Sequence, residues 1–144
     1  LKKVILIGPD EEAFSRVEPE FKEKVEFLSR ERLLEMEETE VSAFVKNQVG
    51  EYPLYISIDK DVLCETDADT NWSQGDMRLS TMLECLGENG KILQVDICGE
   101  CDVTEPGNSA LNDMANAALL EFFTSTDVGE DIEENKNGTT GGNG

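Results

Sequence analysis

The sequence predicts an α/β fold, with a mostly parallel sheet and helices on both faces. Two observations predict it. Short apolar runs, KKVILI, VEFL, LYISI and KILQVDI, alternate with stretches of helical spacing, the pattern of parallel strands joined by right-handed crossovers. The central run, Leu54–Ile58, reads as a buried strand and ends in Asp59 and Asp61, at the C-terminal edge where open α/β sheets place their ligands.

The elements follow in order. Lys2–Ile7 is a strand closed by Gly8-Pro9, and Asp10 caps a helix from Glu11. Phe14, Val17, Phe21 and Val25 form its apolar stripe, and Pro19 divides it into two short helices or a kinked one. Val25–Leu28 is the second strand. Ser29 caps a helix over Arg30–Met36, and Glu37–Glu40 is an acidic joint. Val41–Val49 is an amphipathic helix ended by Gly50. After the central strand, Cys64–Gly75 is a polar loop. Ser80 or Thr81 caps the next helix, with Thr81 and Glu84 as a capping box. Gly87 and Gly90 stop it. Lys91–Ile97 is the last strand and Cys98–Asn108 a loop. Ala110–Phe123 is a helix lined by Leu111, Met114, Ala118 and Phe122. Residues 1–126 form the domain. Residues 127–144 read as an acidic, Gly-rich disordered tail with too little apolar content to offset the entropy of ordering.

Composition excludes several function classes. The 144 residues carry a net charge of -20, which opposes binding to a nucleic-acid backbone. No run of about 20 apolar residues and no signal peptide is present, so neither membrane spanning nor secretion is expected and the cytoplasm is. The chain opens on Leu1 rather than Met, as a fragment or processed chain would. It has no His, which removes His general bases, Ser-His-Asp and Cys-His catalysis and His metal ligands from this chain.

The acids are the main chemical signal. Asp59 and Asp61 at a strand lip suit a hard divalent cation, which takes oxygen ligands and offsets their repulsion. If the last two strands are neighbours, Asp96 and Glu100 converge on the same edge. The other reading of Asp96 is a brace for the loop that follows it.

Four segments, VILIGPDEE, VEFLSRERLLEM, YISIDKDVL and LQVDICGE, carry a resemblance. In order and spacing they resemble the C-terminal portion of the ureohydrolases, the arginase and agmatinase group of binuclear manganese hydrolases, over Leu1 to about Phe123. The resemblance implies part of an arginase-like three-layer αβα fold. It implies that Asp59 and Asp61 ligate two manganese ions, that Glu100 faces a guanidinium, and that Ser57 and Gly75 are structural. The chemistry implied is attack of metal-bound hydroxide on a guanidinium or amidine carbon. The departures are specific. The family's His-bearing N-terminal motifs are absent, and Lys60 stands where a small apolar residue is usual. Cys64 replaces an aspartate, and Gly99 falls where an ungapped match places the pocket glutamate.

Two further constellations stand apart. Cys98-Gly-Glu-Cys101 reads as a dithiol, although Pro106 and Gly107 separate it from the helix start that would lower a thiolate pKa. Cys64 near the same edge raises the alternative of a thiolate zinc site, while Cys85 reads as a packed apolar residue. Trp72, with Asn71 and Gln74, either stacks on a planar cation at a substrate mouth or pins its own loop. The expected function is therefore a manganese-dependent hydrolase of a small cationic guanidinium compound, incomplete in this chain and with no catalytic residue identified. The alternatives are a non-catalytic remnant or binding module and a dithiol oxidoreductase. Homo-oligomerisation is left open.

Overall fold

The computed structural model describes residues 1–87, 90–102 and 109–136, and strands and helices alternate along it. Strand β1 (Val4–Ile7) is half-buried along its length. Asp10 caps α1 (Glu11–Ser15), its Oδ1 accepting from the Ala13 N–H at 2.7 Å. Pro19 breaks the helical run as expected and opens a second short helix, α2 (Pro19–Lys22), where its fixed φ suits the first helical position. Strand β2 (Val25–Leu28) lies parallel to β1, with Val4 opposite Val25 and Ile7 opposite Leu28. Phe14 stacks on Phe27 at 4.3 Å between ring centroids and ties α1 to β2. Phe21, from the same expected stripe, is exposed.

Ser29 caps α3 (Arg30–Leu33), its Oγ accepting from the Arg32 N–H at 3.1 Å; the helix stops short of Met36. The acidic joint is a helix start instead. Glu37 caps α4 (Glu38–Val49), and the Glu40 carboxylate accepts from the Glu37 N–H at 2.9 Å to complete a capping box. These acids sit at the positive end of the helix dipole, so the charge that reads as solvated surface also serves the helix. Gly50, at φ +56°, closes it.

The second half begins with β3 (Leu54–Asp59) and a 3-10 turn over Lys60–Val62. It continues through α5 (Leu79–Leu86), β4 (Ile92–Cys98) and α6 (Ser109–Lys136). The expected cap on α5 is not used. Arg78 holds the N-cap position without a side-chain bond, and Asp67 Oδ2 accepts the Leu79 N–H at 2.8 Å from across the loop. Thr81 and Ser80 donate instead to Glu38 Oε1, at 2.7 and 3.4 Å, which joins α5 to α4. Helix α6 runs to Lys136, into the stretch read as a tail; residues 137–144 of that stretch lie outside the described residues.

The strands form two small parallel sheets rather than one. β1 pairs with β2, and β3 pairs with β4. Side chains, not a backbone ladder, bridge the two. Val41, Val45 and Val49 of α4 gather Ile5, Ile7 and Leu28 from the first sheet with Leu54 and Cys85 from the second half. The second cluster joins Ile56, Ile58 and Val95 to Met82, Leu83 and Leu86 of α5 and to Ala115, Leu119 and Phe123 of α6. Helices α5 and α6 thus cover one face of β3–β4. On the other face Tyr55, Ser57 and Asp59 are exposed, so the expectation of helices on both faces is not met there among the described residues.

The buried line of α6 is also offset from the one expected. Asn112, Ala115 and Leu119 are buried, while Met114 is 68% exposed. Asn112 rotates the helix inward because its amide has backbone partners: it accepts from the Asp69 N–H at 2.9 Å and donates to the Asp69 carbonyl at 2.6 Å. A polar residue with both partners supplied belongs inside.

Candidate functional site

Asp59 and Asp61 stand at the C-terminal lip of β3. Asp59 bends over the turn, and its Oδ1 accepts from the Asp61 N–H at 3.0 Å. Asp61 is half-buried, and its Oδ1 is buried with no hydrogen-bond partner among the described residues. The backbone of the turn is held on two sides by glycines. The Gly75 N–H donates to the Asp61 carbonyl at 2.7 Å, and a Cβ at Gly75 would lie 2.7 Å from the Val62 carbonyl carbon. Gly99 has φ +88°, and a Cβ there would lie 2.8 Å from Asp59 Oδ1 and 2.9 Å from the Lys60 nitrogen. Only glycine permits both the backbone conformation and the approach.

β3 and β4 are neighbours, but the four acids do not gather. Ser57 pairs with Asp96 and Asp59 with Cys98 in the strand register. Asp96 therefore lies back from the lip, bonded by the Ser57 and Tyr55 hydroxyls, which hold its carboxyl below the usual carboxylate range. The Tyr55 phenol is raised in turn by its bond to Asp96. Asp96 is thus a strand brace. Glu100 turns toward Lys60 instead. Its Oε1 forms an ion pair with the Lys60 ammonium, and Asn116 Nδ2 donates to the same oxygen at 3.3 Å. The Lys60 bond lowers the Glu100 pKa, against the opposing effect of burial.

Lys60 is the residue whose role sequence reasoning missed. It is 0% exposed, and its Nζ also donates to Asn116 Oδ1 at 2.8 Å. Its signal was the departure from a small apolar residue between the two acids.

The loop after the turn is self-braced. Leu63 and Met77 form a parallel bridge, and Gln74 Nε2 donates to the Ala68 carbonyl at 2.7 Å. Asn71 Oδ1 accepts from the Asp102 N–H at 3.1 Å. Asn71 and Gln74 are thus occupied with backbone. Trp72 projects outward, 76% exposed, so burial of its indole does not pin the loop.

The cysteines differ in exposure and in contacts. Cys64 contacts Thr66 Oγ1 at 3.1 Å, and buried Cys101 receives the Asn112 amide at 3.5 Å. Burial and then the charges of Asp59, Asp96 and Asp61 raise the Cys98 thiol, opposite to what a reactive thiolate needs. Pro106 and Gly107 lie outside the described residues. Cys85 packs as expected, and burial pushes its thiol up to about 11.

Among the described residues no group of three or more His, Cys, Asp or Glu could hold a metal ion. The lip offers two carboxylates, one with an unpartnered buried oxygen; these fit a hard cation as donors but do not complete its shell. Among the described residues no helix is long and apolar enough to cross a membrane.

No family model matches the chain. A protein of Thermotoga maritima described as uncharacterized is 38% identical over 79 residues, which cover 52% of this chain and 32% of the relative. The match thus spans about a third of that protein's length.

Proposed function

We propose that the Asp59–Asp61 turn contributes to a divalent-cation site, with manganese the first candidate, in an arginase-like hydrolase of guanidinium or amidine C–N bonds. One observation carries the reading: the buried Asp61 Oδ1, unpartnered among the described residues, beside Asp59 at the end of a parallel strand. A buried carboxylate oxygen without a donor is destabilising by about 1–3 kcal/mol or more, and a cation offsets that. Asp59 and Asp61 would hold the ion, and further ligands would come from polypeptide outside these residues, as the chain has no His. When bound, the metal would supply Lewis acidity toward water. In this reading the substrate is a small cation and the setting is the cytoplasm, where the four cysteine thiols, none in a disulfide, remain reduced.

Manganese titration of the purified chain, followed by the electron paramagnetic resonance of the free ion, tests it. We expect one saturable site that weakens about tenfold or more in Asp61→Asn, a loss of roughly 1.4 kcal/mol or more. A wild-type chain that leaves the free-ion signal unchanged at millimolar metal rejects the reading. One observation favours a non-catalytic binding module instead: Glu100 Oε1 is already engaged by Lys60 and Asn116, which compete with a guanidinium for that carboxylate.

A further inference from the structure

Lysine is almost never fully buried unless it is paired, and Lys60 is both. It stands between the two candidate ligands in the 3-10 turn. Its ammonium leaves the turn and meets Glu100, just beyond β4, and Asn116, in α6. Asn116 Nδ2 closes the triangle on Glu100 Oε1 at 3.3 Å. One side chain therefore links three segments that are distant in sequence. The Gly75 N–H holds the Asp61 carbonyl of the same turn, and Gly99 lies close against Asp59 Oδ1 and the Lys60 nitrogen.

We propose that Lys60 is a positioning residue for Asp59 and Asp61: anchored on Glu100 and Asn116, it fixes the directions in which the two carboxylates leave the turn. The inference rests on the reading of that turn as a cation site. It explains a lysine buried next to two acids. The Lys60 charge is taken up by Glu100, which leaves the lip negative for an ion from outside. It also makes Glu100 a structural partner of the turn and not a docking point for a cationic substrate.

The test uses the whole chain with Lys60→Met, which keeps the apolar stem and removes the charge. Amide hydrogen exchange is read at Asp61, whose N–H bonds Asp59, and at Gly75, whose N–H bonds the Asp61 carbonyl. In Lys60→Met both amides should exchange about tenfold faster relative to the Val4 amide, which bonds the Lys24 carbonyl at the far end of the other sheet, the mark of a local opening. Ser29→Ala, a lost cap in the other half, should leave that ratio unchanged. Manganese affinity should fall in parallel with the opening. Should Lys60→Met fail to fold, Glu100→Gln breaks the same pair from its solvent side and must give the same pattern. An unchanged exchange ratio, or faster exchange with unaltered manganese affinity, overturns the proposal. A wild-type chain that binds no manganese overturns the cation-site reading beneath it, whatever the exchange shows.

Discussion

The two halves of the molecule are held by different means. Around β1–β2, order comes from nearby residues: Asp10 and Ser29 cap the helices that follow them, and Phe14 stacks on Phe27. The ion pairs within this half, Arg16–Glu12 and Arg32–Glu35, are local and exposed, and add little. Around β3–β4 the ties are long-range and partly buried: Lys60 to Glu100 and Asn116, and Asn112 to Asp69. Each closes a large loop of chain, at an entropic cost that local caps avoid. The lesson is that the caps of the first half act on close neighbours, while the candidate site is built by polar contacts between distant segments.

The sharpest way to break this contrast is Glu100→Ala. It strands the buried Lys60 ammonium with Asn116 alone and should cost about 3 kcal/mol in a denaturant melt, the low end for a broken buried pair because Glu100 is half-exposed. Lys60→Met should cost less, since the Glu100 carboxylate can return to water. Acid comes next. Glu100 and Asp67 both have lowered pKa values. The Lys60 bond lowers Glu100; for Asp67, burial acts upward but the Leu79 N–H and Arg78 prevail. Their stabilisation is present above the ordinary carboxylate range and is lost as pH falls through their lowered values. Amides around α5 and the turn should therefore lose exchange protection in acid before the β1–β2 ladder does. Asp67→Asn should flatten part of that dependence. The smallest effect expected is from Ser29→Ala, about 1 kcal/mol for a lost cap, with no change at the Asp61 amide.

What could be read from the sequence follows the same division. Asp10, Pro19, Ser29 and Gly50 act on residues within a turn of themselves, so the α/β alternation and most element positions were legible. Glu37 and Glu40 also cap locally, but a glutamate pair in an acidic run reads as solvated charge. The cap on α5 was not legible, because Asp67 reaches it from across a loop. Asn112 hid the inward face of α6, since an amide reads as surface until its backbone partner is known. At the candidate site, the strand-end position of Asp59 and Asp61 was legible. The gathering of Asp96 and Glu100 beside them was an inference from strand adjacency alone. The register sets Asp96 back among hydroxyls, and Lys60 draws Glu100 toward α6. Periodicity counts such partners as surface, and only the fold supplies them.

Trp72 is the sole tryptophan, and its ring already sits in water in the native state. Its emission colour will therefore hardly change on denaturation, which makes intrinsic fluorescence a poor thermometer for this chain. The same placement makes it a natural proximity reporter, because any molecule that settles over the tip of the loop shields the indole, and a blue shift records its arrival.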